Sequence, residues 1–350
     1  MGFAASVSSN IDFMKQAIWD FLYRFFPGHG HHLVPSAGLY DWQQNPEIGT
    51  GSVVTDGPET KDSRLQPDSP LLAELRKRYA EFDKQATTPL VWSPGRVTAE
   101  ELRGFRGADI YVWQSGGLNY GLMAHALAYH YLRSHDELGL LDRMDDDAAF
   151  AVRRFDVDGR KVSRDLLDSI LEINFIEREL GLSKKPGFNV LDIGAGYGRL
   201  AHRMVQAMPM LGKHLCTDAV PESTFICQHY LGHRGVTDKA QVVPLDEIER
   251  TLAATPVDLA VNIHSFSECS LEAIDWWAKL LASNRVPWLL VCPNAKHDAG
   301  RHLGVEDGRG FKGEIEKHGY RLVKMSPKYE DPVIQAYGLD PSYFHLFQLQ

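Results

Sequence analysis

A short apolar run followed by closely spaced glycines is the segment of this chain best suited to chemistry. A strand that ends in a glycine-rich turn lets the backbone approach a nucleotide-like ligand at the carboxyl edge of a parallel sheet. We therefore expect a cofactor site here, lined by the loop and by the acid that precedes it. The segment reads Val190-Leu191-Asp192-Ile193-Gly194-Ala195-Gly196-Tyr197-Gly198 and leads into a helix start at Arg199.

The spacing of the glycines separates two kinds of ligand. A dinucleotide fingerprint has its third glycine or alanine three positions after the second. That position holds Arg199, and the third glycine comes one residue earlier, at Gly198. Asp192 adds a carboxylate, which favours a cationic ammonium or sulfonium over a pyrophosphate. The pattern resembles the first motif of Rossmann-like methyltransferases that use S-adenosylmethionine (SAM); a dinucleotide-type or coincidental loop is the alternative.

Two further acids follow the next predicted strands. Asp218 ends the second strand about 20 residues after the glycine loop, where a carboxylate can accept hydrogen bonds from both ribose hydroxyls. Ala219 lies beside it and is expected to contact the same ligand. Asp246 follows the third strand and is expected to meet the adenine amino group. Each acid also has a structural interpretation, Asp218 as a strand-end or helix-capping residue and Asp246 as the cap of the next helix.

A polar cluster ends the fourth predicted strand, at the edge where open α/β sheets bind ligands. We expect Asn262 to contact the cofactor and His264 to act as the general base that deprotonates an alcohol. Glu268 would orient the imidazole or hold substrate hydroxyls. Alternatively, His264 is a structural hydrogen-bonding residue and Glu268 an acid at a helix N-terminus. The cluster reads Asn262-Ile263-His264-Ser265-Phe266-Ser267-Glu268.

The elements that must position these residues alternate between strands and helices from Gly187 onward, which indicates a parallel α/β sheet. Seven strands with a closing hairpin-like pair match the Rossmann-like methyltransferase sheet, of strand order 3-2-1-4-5-7-6, whose last strand inserts antiparallel. Strands are predicted over 188–193, 214–217, 241–243, 257–263, 288–292, 320–325 and 343–349, and helices over 199–208, 223–231, 246–253, 270–281 and 311–318.

The pattern before residue 180 is different, and we predict two regions. Residues 1–180 form a mainly helical N-terminal cap or substrate region, and residues 181–350 form the SAM-binding methyltransferase domain. Within the first region, residues 27–70 are dense in turn-forming residues and indicate a loop-rich segment. Helices are predicted over 71–82, 118–132 and 163–180, the last one capped by Ser163.

The bulk composition is that of a globular protein, with 44% hydrophobic and 24% charged residues. The net charge of -9 argues against a nucleic-acid partner, since binding phosphates needs a basic footprint. No apolar stretch reaches the roughly 18 residues of a membrane span, and no secretory signal pattern begins the chain. We therefore expect a cytoplasmic protein with reduced cysteines, and the N-terminal helices leave a homo-oligomer open.

The motifs in combination resemble the sugar O-methyltransferase family. Three segments carry the resemblance, within a similarity that covers roughly residues 111–294: the loop over 192–200, the cluster over 262–268 and the upstream segment over 163–169. It implies methyl transfer from SAM to a hydroxyl of a carbohydrate or glycoside substrate. Residues before about 105 match nothing in the family.

The resemblance also implies a cap over the cofactor, formed by residues 111–176. Tyr111, Trp113 and Gln114 would bind the sugar through aromatic faces and an amide. Arg164 would clamp the methionine carboxylate of SAM with two donors. The structural alternatives are a packed aromatic pair for Tyr111 and Trp113, and a surface ion pair of Arg164 with Asp165 or Asp168.

A divalent metal and two other functions stay open at this point. Some sugar O-methyltransferases use a metal to acidify the acceptor, and Asn294, His297 and Asp298 follow the fifth strand with ligands of the kind that suits magnesium. Their spacing is not diagnostic, so no metal ligand is assigned. The other functions are SAM-dependent O-methylation of a phenol or other small metabolite, and a non-catalytic SAM-binding scaffold.

Overall fold

A computed structural model describes residues 65–82, 86, 91–93, 95–107, 121–147, 149–294 and 298–350, together with residues 18 and 21 and the backbone of 53–54. The predicted substrate residues Tyr111, Trp113 and Gln114, and the candidate metal ligand His297, lie outside these ranges. The main sheet, its helices and the candidate site lie within them.

Seven strands form one mixed sheet. They are β1 Phe188–Ile193, β2 Leu211–Thr217, β3 Ala240–Val242, β4 Leu259–His264, β5 Trp288–Pro293, β6 Tyr320–Pro327 and β7 Tyr343–Leu349. Their order is β3-β2-β1-β4-β5-β7-β6. The first five run parallel, and β7 is antiparallel to both β5 and β6. The predicted fold class and strand order are therefore confirmed.

Helices cover both faces of this sheet. They are α1 Pro70–Glu81, α2 Ala99–Arg103, α3 Leu122–His135, α4 Leu140–Arg143, α5 Arg164–Leu180, α6 Arg199–Ala207, α7 Pro221–Arg234, α8 Ile248–Ala254, α9 Leu271–Ser283, α10 Lys312–Glu316 and α11 Pro332–Tyr337. Since side chains alternate across a strand, Leu191 and Ile193 of β1 pack with α1, α7 and α9, whereas Val190 packs with α3, α5 and α6. Helices from before residue 180 share these cores, and the predicted division there stays a prediction.

A small three-stranded antiparallel sheet, over Val53–Val54, Arg154–Val157 and Arg160–Val162, was not predicted in the N-terminal region. Strands of two to four residues are too short for an alternating pattern to show. Helix α11 was also missed, although Asp331 caps it by accepting from the amides of Val333 and Ile334.

Helix α5 carries an unusual buried polar stripe towards the glycine loop. Ser163 caps the helix, as predicted, and Gly181 ends it in the left-handed conformation. Its three buried acids are each matched by a cation: Asp165 with Arg203, Asp168 with Lys328, and Glu172 with Arg199. A buried carboxylate without such a partner would be strongly destabilising. The stripe therefore fixes α5 against α6, which follows the loop.

Two expectations from composition can be compared with the structure. The four cysteines are free thiols, three of them buried and Cys269 half-buried. In the described part of the chain, no helix has both the length and the apolar character needed to cross a membrane.

Candidate active site

The glycine loop after β1 needs glycine for both conformation and space. Gly194, Gly196 and Gly198 all have positive φ, at 76°, 56° and 88°. A Cβ atom on Gly194 would lie 2.1 Å from Oγ of Ser265, and one on Gly198 would lie 2.9 Å from Sγ of Cys227. The loop therefore packs directly against the turn after β4 on one side and against α7 on the other.

The amides of this loop are largely used inside the protein. Gly194 and Ala195 both donate to the carbonyl oxygen of Thr217, at 2.9 and 3.0 Å, and Gly198 donates to that of Ala195. Gly196 donates to Oδ2 of Asp218 at 3.0 Å. A pyrophosphate is bound through backbone amides of this kind. Because these amides already bind protein acceptors, the loop favours a ligand without a phosphate group.

Asp218 lies where the sequence predicts it, beyond the end of β2. Its two carboxylate oxygens accept from the amides of Gly196 and Val220, at 3.0 and 2.8 Å. Burial raises its pKa to about 7, against the opposing effect of these two bonds. A carboxylate has about four lone-pair sites, so two remain for a diol such as a ribose. Ala219, beside it, is exposed.

Three predicted cofactor-binding side chains are engaged within the protein. The amide of buried Asn262 donates to the Ile193 carbonyl oxygen and to Oγ of Ser265, while its oxygen accepts from the Phe266 amide. The Tyr197 hydroxyl donates to Asp165 at 2.8 Å. The Asp192 carboxylate lies 3.6 Å from Nε2 of buried His214. These side chains shape the loop, and their contact with a cofactor stays a prediction.

Asp246 and Arg164 also have protein partners. Both oxygens of Asp246 accept from Arg78 of α1 at 2.9 Å, and a contact of this carboxylate with adenine stays a prediction. Arg164 lies 3.0 Å from Asp168 and 3.0 Å from Asp340. Arg164 therefore forms an ion pair with Asp168, as the structural alternative supposes, but the pair is mostly buried rather than on the surface. The clamp on the methionine carboxylate stays a prediction.

His264 ends β4 in a strained conformation, with φ of 70°. Such strain in a residue other than glycine is kept only where the surroundings impose it. Its Nε2 lies 2.7 Å from Oδ2 of Asp340, and its side chain is 14% exposed. Within the described residues, its buried Nδ1 has no hydrogen-bond partner. A buried polar atom without a partner is uncommon and calls for an explanation.

Asp340 is a site residue that the sequence analysis missed. Burial opposes its ionisation, but the hydrogen bond with His264 and the charges of Lys328 and Arg164 outweigh burial and hold its pKa well below the ordinary value. No motif surrounds Asp340. The available signal was the antiparallel insertion of β7, which brings the residues just before this strand to the carboxyl edge of β4 and β5.

The sequence predicts that Glu268 orients the imidazole or holds substrate hydroxyls. In the structure, its carboxylate contacts other residues instead of the imidazole. Its Oε2 accepts from the Trp92 indole at 2.5 Å, and its Oε1 accepts from the Asn294 amide at 3.2 Å. Burial raises the pKa of Glu268, partly offset by these two bonds. Asp340, rather than Glu268, contacts the imidazole of His264. A role for Glu268 in binding substrate hydroxyls stays a prediction. Trp92 was missed because it lies before the part of the chain with a family resemblance.

Magnesium gains no support from the described residues, which contain no group of three or more His, Cys, Asp or Glu arranged to hold a metal. The Asn294 side chain is bound to Glu268, and Asp298 pairs with exposed His302 at 2.8 Å.

No protein-family model matches this sequence, and no curated protein sequence matches it. Solved structures are similar to it at low identity. Magnesium protoporphyrin IX methyltransferase from Synechocystis PCC 6803, with bound SAM, is 14% identical with a TM-score of 0.38, over 68% of this chain and 100% of that one. Mitomycin 7-O-methyltransferase is 16% identical with a TM-score of 0.37, over 65% and 67%. A protein in the NADB-Rossmann superfamily from Streptococcus agalactiae is 14% identical with a TM-score of 0.34, over 49% and 68%. These likenesses concern the fold alone.

Proposed function

We propose that this protein is a SAM-dependent O-methyltransferase that acts on a hydroxyl of a carbohydrate or glycoside. One observation carries the proposal: the turn that begins at His264 packs directly against the glycine loop. Gly194 leaves no space for a Cβ atom beside Ser265, the residue after His264. A group held by the loop and a group deprotonated by His264 would therefore lie next to each other.

The residues of the cleft suit SAM better than a dinucleotide. Asp218 has lone pairs left for the ribose hydroxyls, and the loop keeps the adjacent backbone close. The loop amides bind protein acceptors, which argues against a pyrophosphate. When bound, SAM would supply an electrophilic methyl carbon on a sulfonium. The remaining requirement is an acceptor oxygen held in line with that carbon, since much of the acceleration in such a displacement comes from positioning.

His264 bears on the class of acceptor. An alcohol is a much weaker acid than a phenol and needs more help to lose its proton. An imidazole backed by an ionised carboxylate is a stronger base than an isolated one. This pairing favours an alcohol, such as a sugar hydroxyl, over the phenolic alternative. The sugar itself rests on the family resemblance in the sequence.

The test is transfer of a tritiated methyl group from SAM to a panel of mono- and oligosaccharides, with phenols in parallel and with or without a chelator. His264→Ala should keep SAM affinity and lose transfer. His318→Ala is the matched control, because His318 pairs with Asp275 just before β6, at the opposite edge of the sheet, and transfer should be unchanged.

The outcomes separate the candidate functions. Labelled saccharides that depend on His264 support the proposal. Label found only in phenols overturns the sugar acceptor, and SAM binding without transfer to any acceptor favours the scaffold. Loss of transfer with the chelator would indicate a metal requirement.

A further inference from the structure

We propose that Asp340 is a positioning residue for methyl transfer, which holds the Nε2–H of His264 so that Nδ1 is the atom that takes the acceptor's proton. This inference rests on the proposed function and deepens it. It places part of the catalytic machinery in the segment that leads into β7.

The geometry of the pair is the first support. Nε2 of His264 lies 2.7 Å from Oδ2 of Asp340, which is a hydrogen-bond distance for a charge-assisted pair. Both residues have positive φ, 70° for His264 and 42° for Asp340. A strained backbone of this kind persists only where the surrounding structure imposes it. The two strained turns meet at their side chains.

The charges around the pair are the second support. Asp340 faces two more cations: Arg164 at 3.0 Å, and Lys328, whose Nζ is 3.9 Å from the same Oδ2 and 3.2 Å from the Asp340 carbonyl oxygen. Asp168 neutralises the same two cations, at 3.0 Å and 2.7 Å, without touching His264. On its own turn, His264 also faces the charge of Glu268. This arrangement keeps Asp340 ionised although it is buried.

An ionised carboxylate at Nε2 fixes the imidazole tautomer. The proton must lie on Nε2 to be donated to Asp340, which leaves the lone pair on Nδ1. Nδ1 is the buried nitrogen without a partner in the described residues. A hydroxyl reaches it only by displacing the groups that cover it, so substrate binding must supply that displacement.

In the proposed step, proton transfer to His264 accompanies methyl transfer to the acceptor oxygen. The acceptor O–H proton passes to Nδ1 as an oxygen electron pair forms the bond to the methyl carbon. The bond between that carbon and the sulfur breaks with its electrons going to sulfur. The imidazolium, stabilised by Asp340, then releases its proton to solvent.

The test compares Asp340→Asn with Asp168→Asn in the full-length protein. The two variants remove the same charge beside Lys328 and Arg164, but only Asp340 touches His264. The 15N resonances of His264, assigned with His264→Gln, report its tautomer. We expect a Nε2–H tautomer in the wild type and a loss of this preference in Asp340→Asn, because a neutral amide can donate as well as accept.

Activity gives the second readout. Asp340→Asn should lower kcat by about 100-fold or more, with a smaller change in KM, and should alter the pH profile. Asp168→Asn should keep the tautomer and the shape of the pH profile, even where it lowers stability.

Equal effects of the two variants would overturn the inference, because they would indicate a merely structural role for Asp340. A Nδ1–H tautomer in the wild-type protein would overturn it as well, and this measurement decides the question even where Asp340→Asn does not fold. Neither result affects methyl transfer by the wild type, which tests the proposed function separately.

Discussion

At the scale of single residues, we expect Asp218 to make ligand binding depend on pH. Its carboxylate already accepts two backbone hydrogen bonds, and burial still raises its pKa to about 7. Only the ionised form can accept from both hydroxyls of a ribose, because the neutral acid turns one oxygen into a donor. If Asp218 binds the ribose as proposed, ionisation of this one group should limit affinity near neutral pH.

We predict that SAM affinity falls as the pH falls through about 7. Below this value, the dissociation constant should rise by up to ~10-fold per pH unit, because binding must remove one proton from Asp218. Calorimetric titration between pH 8 and pH 6 measures this. Asp218→Asn should bind SAM weakly at every pH. An unchanged pH dependence in Asp218→Asn would show that another group is responsible.

A second prediction at this scale concerns Gly194. Gly194→Ala places a Cβ atom against Ser265 and forces a side chain into the left-handed region. We expect a loss of at least about 1 kcal/mol in the free energy of unfolding, and loss of SAM binding. Urea denaturation and calorimetry measure the two effects.

Gly232 of α7 is the matched control for this substitution. Nothing lies within 4 Å of a Cβ atom built there. Gly232→Ala should therefore leave SAM binding unchanged and raise stability by about 0.5–1 kcal/mol, as alanine does within a helix. Equal effects of the two substitutions would contradict the account of the loop.

The residues found from the sequence share one property, which is that a local pattern surrounds them. Gly194, Asp218 and His264 each lie at the end of a strand that the sequence shows. Asp340 and Trp92 have no such pattern, and only the packing of distant segments brings them to the site. Partners such as Arg78 for Asp246 were hidden for the same reason, since spacing along the chain does not report an ion pair across the fold.

At the scale of elements, α1 joins the N-terminal region to the cofactor side of the sheet. The Tyr79 hydroxyl lies 2.9 Å from Oγ1 of Thr224 in α7 and accepts from the amide of Leu245, just after β3. Arg76 pairs with Glu222 and Arg78 with Asp246. The helix therefore braces the segments that flank Asp218, although the family resemblance does not extend to it.

We predict that Tyr79→Phe destabilises the protein by about 1–3 kcal/mol, because it leaves the buried Leu245 amide without its acceptor. Chemical denaturation measures the change. Tyr337→Phe is the matched control, since the structure gives the half-buried Tyr337 hydroxyl no hydrogen bond among the described residues. A loss in Tyr79→Phe no larger than in this control would contradict the bracing role.

The predicted element boundaries agree with the structure where an apolar pattern continues over the whole strand. β1 and β7 have the predicted bounds, because apolar residues occupy most of each strand. β2 begins at Leu211 rather than at 214, since Gly212 and Lys213 interrupt the apolar pattern although backbone pairing continues. Hydrogen bonding to the neighbouring strand decides such ends.

At the scale of the whole molecule, the alternation of strands and helices predicted a parallel α/β sheet, and the match to the methyltransferase sheet supplied the strand order. Each parallel crossover needs a helix, which restricts the topologies available. The buried charges could not be predicted in this way. Their ion pairs join α5 to α6 and to the segment before β7. These contacts determine which side chains line the cleft. We expect the acceptor specificity to depend on residues of the predicted cap.

Calorimetric titration of the wild-type protein with SAM, and separately with NAD, tests the central claim most directly. A loop whose amides are committed within the protein, beside a carboxylate at Asp218, should bind SAM at one site per chain and should not bind NAD. SAM at 100 times its dissociation constant should also raise the free energy of unfolding by about 2.7 kcal/mol. Binding of NAD without binding of SAM would contradict the account.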